Sequence, residues 1–482
     1  ESPAQMRLNQ KCQATTLEEI GITSSLVRPA GAPFTQTYIT RQREAQQGRQ
    51  NWSYLHPSLK SVLGDTHDVL VYQEDVIRIC VEIAGMSFHD ADQVRKMMNS
   101  FHEGTPSNYS QTAEIFIAGC VTKHGYSISQ ARALWERIAS FKGFSFCQSH
   151  SLSYAQLTFK CAYLKAHYPA IFLAAVLSNN HGFYGSAVYI NEAYRIGIQI
   201  LPVCINHSEY AYLGNKQNIR VGFMHIRGLH KTHIQNFIKQ RQTYGLFQNF
   251  PQFLQQNTSF KIVEIEALIK VNAFASLQKS QPTLMYILHN FQEKQIQNTL
   301  NLNTHTALPK LPPLAFSQRC LQELYYLGYI TSGNFLEMLS IHPASENTVP
   351  LHQLKEHIGS YIKIFGSPIT RRTHKVTKSS QRMLFLTLQD NSDCGDVVLW
   401  PTIYEKYFSL TLDFSPLEIW GTPKEENGSI TFEAKHLQQP QWNPDQISLV
   451  RAWEKKVQSR EAHKKSMRRL SQASYLAKAT GS

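Results

Sequence analysis

The spacing of apolar residues changes character along the chain. Residues 1–60 are rich in Gln and poor in acids, and Pro29, Gly31 and Pro33 predict an irregular elbow. From Val69 to Ala84 apolar residues recur at helical spacing, through Val76, Ile77, Cys80 and Ile83. Asp90 opens another helical run, with Val94, Met97 and Met98 on one side. After a loop around Gly104–Ser107, with Pro106 as breaker, helices are predicted near Thr112–His124, Ser129–Phe141 and Ser153–Tyr168. Pro169 stops or restarts the last of these. A helix and a short apolar run, Ile198–Val203, occupy 185–205. A strand-like Ile219–Met224, then Gly228, then a helix from Lys231 to Arg241 come next, and helices continue through 260–290. The polar stretch Gln292–Pro313 ends Pro-rich and reads as a linker. After about residue 358 the period becomes that of β structure. Ser360–Gly366, Met383–Asp390, Asp396–Trp400, Leu417–Gly421 and Ile430–Ala434 are short apolar runs between turn residues, a number that suits a small closed barrel. The predicted class is a multidomain chain, helical first and all-β afterwards.

Composition adds a partner class to this picture. The chain has 482 residues, 42% of them apolar, enough for two to four domains with sizeable cores. No run approaches the roughly 18 apolar residues of a membrane span, and the oiliest, near Ile171–Leu177, has polar flanks. No leader is expected at the start, and the first residue, Glu1, raises the expectation of sequence upstream. The eight cysteines stand singly, with no C-x-x-C pair, so reduced thiols of a cytoplasmic protein are expected rather than a zinc knuckle or a disulfide framework. Lys and Arg number 48 against 35 Asp and Glu, a net charge of +13. Such a balance points to a polyanionic partner, the alternative being surface drift without function. The tail from Arg451 to Ser482 holds nine basic residues and two acids and reads as a basic arm.

Three stretches resemble the bacterial DNA polymerase III alpha subunit family. VLVYQEDVIRICVEIAGMSFHDADQVRKMM, Val69–Met98, resembles its fingers segment, in which a Tyr-Gln-Glu helix leads to an Ala-Asp-x-x-Arg-Arg/Lys helix. FSFCQSHSLSYAQLTFKCAYLKAHYPAIFLAA, Phe144–Ala175, resembles its Ser-His-Ser/Ala…Ala-Tyr-Leu-Lys-x-x-Tyr-Pro-x-x-Phe run. Ile219–Gly245 together with ALIKVNAFASL, Ala267–Leu277, resembles its helix-hairpin-helix and the signature that follows. The β region after Gly359 fits its OB-fold, and the stretch Tyr184–Ser208 fits as well, while the preceding NNHGFY, Asn179–Tyr184, leans toward the damage-tolerant branch. The resemblance implies the C-terminal half of such a polymerase. It divides the chain into a palm–fingers junction remnant (1–60), a helical fingers domain (61–205) and a helix-hairpin-helix-like DNA-binding region (206–300). A linker with helices (301–357), an OB-fold (358–440) and a basic tail (441–482) complete it. It further implies a cytoplasmic, nucleoid-associated protein acting in replication or repair synthesis.

Phosphoryl transfer by a polymerase needs two divalent metals held by close carboxylates. In the family these come from an Asp-x-Asp pair and a third Asp in the palm, upstream of the matched region. Here no Asp precedes Asp65. The Asp90-Ala-Asp92 pair opens a predicted helix, where capping and the helix dipole account for acids. The expectation is therefore no catalytic residue and no cofactor in this chain. Mg2+ is expected only with an upstream palm, and this chain alone is expected to be inactive. A catalytically dead DNA-binding paralogue is the alternative.

The resemblance assigns dNTP binding to Arg95, Lys96, Ser149, His150 and Tyr154. His150 would donate to a phosphate or else cap and pack its helix, and Tyr154 would stack near the base. Two departures from the family stand out: Asn99-Ser100-Phe101 replaces a Gly-Lys-Lys continuation, and Gln148 replaces a Lys. Lys165 reads as a snorkelling stem on a packed helix. DNA binding falls to the hairpin turn Gly228-Leu229-His230 with Lys231, His233 and Lys239, where His230 replaces the second Gly of a Gly-h-Gly turn. The run Arg371-Arg372-Thr373-His374-Lys375-Val376-Thr377-Lys378 reads as a basic loop between the first two barrel strands. Arg371, Arg372, Lys375 and Lys378 would there meet a single strand, or simply stay solvated. Trp400 and Tyr404 are either stacking platforms or core residues. The expected partners are primer-template and single-stranded DNA, dNTP, a separate palm-containing fragment and a sliding clamp, and no membrane. Gln281–Met285 is the nearest match to a clamp-binding peptide, although it lies in a predicted core helix.

Overall fold

The computed structural model describes residues 2–28, 31–99, 109–140, 146–179, 183–296, 311–333, 335–338, 347–376, 381–390, 392–412, 415–441, 445–446 and 448–452. The chain forms two compact units, Glu1–Tyr163 with Glu425–Ser429, and the remainder. The first unit opens with three helices, α1 (Pro3–Cys12), α2 (Leu17–Leu26) and α3 (Ala32–Gln46). The Ser2 hydroxyl accepts from the Gln5 amide at the start of α1, and Thr16 and Glu19 form a reciprocal capping box on α2. Pro33 sits in the first turn of α3, where no intrahelical N–H is needed. Leu8, Ile22, Leu26, Tyr38 and Ile39 from these helices bury Val69, Val71 and Tyr72.

The next elements are α4 (Lys60–Leu63), α5 (Gln73–Arg78), α6 (Phe88–Asn99), α7 (Tyr109–His124) and α8 (Ile128–Ser140). A π-helical turn, Ile79–Ile83, continues α5. Their apolar faces meet in one core that includes Leu63, Val76, Ile79, Ile83, Val94, Met97, Phe116, Leu134, Trp135 and Ile138. At Gly119 of α7 the backbone of Ala84 approaches so closely that a β-carbon would overlap its carbonyl oxygen. The helix expected from Val69 begins only at Gln73, because Val69, Leu70 and Val71 are buried outside any helix and Tyr72 is extended. A run apolar at every position cannot be told from a helix by periodicity alone. Helix α9 (Gln148–His167) follows, five residues longer at its start than its periodicity predicts.

The second unit contains α10 (Pro169–Asn179) and α11 (Ser186–Arg195), then a small sheet of β1 (Gln199–Leu201), β2 (Leu213–Gly214) and β3 (Asn218–Arg220) in the order β1-β3-β2. Strand β3 is shorter than expected, since Phe223–His225 form a 3-10 turn. Helices α12 (Lys231–Tyr244), α13 (Phe250–Gln256), α14 (Ile262–Lys270), α15 (Gln281–Ile296), α16 (Phe316–Tyr326) and α17 (Phe335–Met338) follow. Phe223, Phe237, Phe247, Phe250, Phe253 and Phe274 pack edge to face at the centre of their core. Helix α15 takes up the first residues of the expected linker, and most of the rest lies outside the described residues.

The β region closes as expected into a five-stranded barrel of OB-fold type, from β4 (Ile362–Lys375), β5 (Arg382–Gln389), β6 (Cys394–Leu399), β7 (Leu417–Glu426) and β8 (Ser429–Gln438). The order around the barrel is β4-β5-β6-β8-β7, with α18 (Pro401–Lys406) between β6 and β7 in sequence. Strand β4 serves two neighbours. Ile362–Gly366 pair with β7, and Ser367–Lys375 pair with β5, with an irregularity between Pro368 and Thr370. Alternate residues Leu384, Leu386, Leu388, Val397, Leu399, Leu417 and Ile419 fill the interior.

Candidate functional site

In the first unit, residues Tyr72–Glu74 organise the surroundings. Tyr72 bridges to Phe146 in parallel, and the Gln73 amide donates to the Phe146 carbonyl at 3.0 Å. The Glu74 carboxylate accepts the Gln148 amide at 2.9 Å, which caps the start of α9 and places an anion at its positive end. Behind them the buried Asp75 takes the Val71 amide at 3.0 Å and the Tyr72 amide at 2.8 Å on one oxygen. Burial pushes Asp75 up to about 6, against the pull of those two amides. The hydroxyls of Ser25 and Ser151, 2.6 Å apart, hold α2 to α9.

Ser149, His150 and Tyr154 therefore stand in the first turns of an anchored helix, and all three are exposed. The His150 ring lies 5.3 Å from that of Phe146 and 4.7 Å, edge on, from that of Tyr154. It packs and remains accessible at once. The expected Arg95 and Lys96 extend from α6. Asp92 pairs with both, at 2.9 and 2.8 Å, and their hydrogen bonds hold its carboxyl below the usual range. Arg95 also reaches the Gln73 side chain at 3.4 Å. Arg95 of α6 and the start of α9 thus meet the same three residues, 72–74. Asp90 and the Ser87 hydroxyl cap α6 reciprocally, the hydroxyl donating at 2.6 Å and accepting the Asp90 amide at 3.1 Å. Arg28 was not anticipated; its guanidinium sits 5.1 Å from the Phe146 ring centroid. No local pattern signals it, because the contact depends on α2 packing beside α9.

In the second unit the hairpin turn is latched by a buried carboxylate. Gly228 has φ +91°, a backbone conformation suited to Gly. Glu264 of α14 accepts the His230 amide at 2.9 Å, the Lys261 amide at 2.8 Å and the His233 Nδ1–H at 2.8 Å. Burial raises its pKa, but the two amides and the imidazole outweigh it and hold the carboxyl below the usual range. His233, expected to face phosphate, is thereby engaged with Glu264. His230 and Lys231 are exposed, and the Lys231 ammonium lies 5.4 Å from the Tyr210 ring centroid. Lys261 carries no side-chain acceptor, so no capping signal marks Glu264 in the sequence. Lys165 forms an ion pair with Glu192 at 2.8 Å.

On the barrel, Arg371, Arg372 and Lys375 belong to β4 and not to a loop, since β4 continues past its bulge and pairs Arg371–Lys375 with Arg382–Leu386. Strand alternation points Arg371 and Arg372 to opposite sides. Arg371 donates to the Thr411 carbonyl, while Arg372 and Lys375 are exposed. Lys378 lies outside the described residues, as does the tail beyond residue 452. Trp400 is 44% exposed, with its indole N–H on Glu433 at 3.2 Å, whereas Tyr404 packs into the barrel core. Gln281 opens α15 buried, its amide donating to the Ile269 and Lys270 carbonyls at 2.8 and 3.1 Å. Among the described residues no cluster of three or more His, Cys, Asp or Glu is placed to hold a metal ion, and no helix is long and apolar enough to cross a membrane.

Residues 1–124 match the sequence profile of the bacterial DNA polymerase III alpha subunit finger domain, and residues 197–284 match that of a helix-hairpin-helix motif. The first span contains Tyr72–Glu74, Arg95 and Lys96, and the second contains the Glu264-latched turn. DNA polymerase III subunit alpha of Aquifex aeolicus is 28% identical over 450 residues, covering 92% of this chain and 38% of that protein. Its counterparts in Staphylococcus epidermidis and Staphylococcus aureus are 29% and 28% identical over 419 and 428 residues, each covering 83% of this chain and 37% of the relative. The chain thus spans less than two-fifths of the length of these curated relatives.

Proposed function

We propose that this chain, similar over most of its length to the C-terminal half of bacterial DNA polymerase III alpha subunits, holds primer-template DNA and the incoming dNTP for template-directed synthesis. The observation that carries this reading is the docking of Tyr72–Glu74 against both Arg95 of α6 and the start of α9. It supports a rigid frame from which Arg95, Lys96 and Arg28 offer positive charge, His150 a ring N–H and Tyr154 a stacking face. The latched turn around Gly228, with Lys231, would meet duplex backbone, and Arg372 and Lys375 on β4 a single strand.

The two magnesium ions of such a reaction find no holder in the Asp90-Ala-Asp92 pair. Asp90 is engaged with Ser87, and Asp92 with Arg95 and Lys96. The metal-binding carboxylates would therefore come from a palm-containing polypeptide, and no catalytic step is assigned to this chain. A non-catalytic DNA-binding paralogue is the second reading. It is favoured by His230 in place of the second Gly of the hairpin turn.

Fluorescence anisotropy on a labelled primer-template tests the binding role, with and without the complementary dNTP. The expected result is salt-dependent DNA binding that dNTP tightens when the palm-containing fragment is present, with Arg95→Ala/Lys96→Ala losing only the dNTP effect. Charge reversal at Arg372 should weaken single-strand binding and lower the salt slope by about one. Primer extension should require the palm fragment. Extension by this chain alone would overturn the division of labour, and DNA binding indifferent to dNTP and palm would select the paralogue.

A further inference from the structure

Beyond its first turns, α9 has a pattern of its own. His150, Tyr154, Leu157, Cys161 and Leu164 follow one another at alternating intervals of four and three residues. That is the heptad spacing of a helix whose apolar seam packs against another helix. At 3.6 residues per turn these side chains share one stripe, and Phe159 and Tyr163 fall outside it. Only Ser151 and Ala155 of α9 are buried, and both lie off the stripe. Tyr154 is 57% exposed, Leu157 54% and Leu164 45%, while Cys161 is half-buried. His150 and Tyr154 are assigned above to the nucleotide, so the seam proper is Leu157, Cys161 and Leu164.

Most helical stability in proteins comes from packing the apolar face, and a helix with that face in water is marginal. A contiguous apolar stripe of this kind marks a docking surface. Its flanks define the partner. α9 contains Lys160, Lys165, His150 and His167 and no Asp or Glu. Lys160 and Lys165 stand on opposite sides of the seam, and both are exposed. Lys165 holds Glu192 at 2.8 Å and still keeps 47% of its side chain exposed, so this flank already accepts a carboxylate. A second copy of α9 would set cations against cations in either orientation, which disfavours self-pairing.

We propose that α9 docks an amphipathic helix of a partner protein, apolar along its own seam and acidic on both flanks. Leu157, Cys161 and Leu164 would interdigitate with the partner's seam, and Lys160 and Lys165 would pair across its edges. The face needs no nucleotide and stands or falls separately from the dNTP-binding reading.

Fluorescence anisotropy with the full chain tests it, using two labelled helical peptides that carry Leu at the seam positions and differ only in their flanks, Glu in one and Lys in the other. The Glu-flanked peptide should bind saturably, one to one, and the Lys-flanked peptide about tenfold more weakly. Leu157→Ser/Leu164→Ser should lower the affinity for the Glu-flanked peptide by about tenfold or more, and Gln156→Ala, off the seam, should leave it unchanged. Lys160→Glu should narrow or reverse the preference between the two peptides. Near-UV circular dichroism verifies that each variant is folded, and Lys160→Glu serves if the double Leu variant is not. Binding of neither peptide, equal binding of both, or an affinity unchanged in the folded seam variants overturns the proposal. So does either rival occupant, seen as a dimer of the chain in sedimentation that the double Leu variant abolishes, or as an affinity for oligothymidylate that falls in that variant.

Discussion

Replacing Asp75 by Asn isolates the energetic cost of a buried charge beneath the Tyr-Gln-Glu turn. Asp75 is 4% exposed, and one of its oxygens accepts both the Val71 and Tyr72 amides. An Asn carbonyl oxygen can occupy that position and keep both bonds. The native carboxyl is shifted from 3.8 to about 6 by burial. At about 1.4 kcal/mol per pKa unit the shift corresponds to roughly 3 kcal/mol. The folded state holds the proton more tightly than the unfolded state, so its extra stability is complete below 3.8 and is lost as pH rises through about 6. Asn does not titrate and lacks this dependence. Urea unfolding of both proteins between pH 4 and 7.5, followed by circular dichroism and by fluorescence of Trp52 and Trp135 in the first unit, reads the difference. The native protein should lose roughly 2–3 kcal/mol relative to Asp75→Asn across that range. Any constant offset from the new amide N–H groups cancels in the slope. A difference that stays flat, or that changes in the opposite direction, would refute the assignment of a destabilising ionised carboxylate at this position.

Three other perturbations follow from the same packing. His67, whose Nε2–H donates to Gln42 at 2.6 Å, has its pKa lowered by burial, opposed by Glu19 and aided by Arg41. Its contribution to stability is present above about 6.5 and is lost as pH falls through the lower folded value, so His67→Gln should flatten the urea midpoint between pH 7 and 5. Gly119→Ala should destabilise the first unit by about 2–3 kcal/mol, because the new methyl meets the Ala84 carbonyl and not a movable side chain; an unchanged thermal midpoint would contradict that close approach. Glu264→Ala releases the amides of His230 and Lys261 and the ring of His233. It should cost about 3 kcal/mol and speed hydrogen exchange at the His230 amide, which Glu264→Gln should slow again in part.

The class of each region was readable because periodicity survives wherever one face is buried. Helices α6 to α9 and all five barrel strands appear near their expected places for that reason. The errors have local causes. Val69–Val71 is apolar throughout and carries no period, so the start of α5 was invisible until Asp75 was seen capping it. Arg371–Lys375 looked like a loop because exposed basic residues hide a strand whose pairing lies entirely in the backbone. The first sixty residues hold three helices, two with N-terminal caps that short sequence signals do mark, Ser2 before Pro3 and Thr16 with Glu19. The contacts that assemble the candidate site span 74 residues for Glu74–Gln148 and 126 for Ser25–Ser151, and no window of sequence contains either.

Several acids of the first unit serve turns and helix starts. Glu74 and Asp75 accept backbone amides, Asp90 answers a capping hydroxyl, and Asp68, itself buried, draws in Arg41 and Arg137. Each satisfies donors at a bend in the chain that folding would otherwise strand. Asp92, like Glu82 with Arg78, differs, because its partners Arg95 and Lys96 are side chains on its own helix at partial exposure, where an ion pair contributes little to stability. A weak intrahelical pair positions two cations without holding them firmly. A triphosphate carries more negative charge than one carboxylate and would compete for both. On the proposed nucleotide-binding reading Asp92 would be displaced by an anionic ligand, whereas its neighbours are fixed parts of the scaffold.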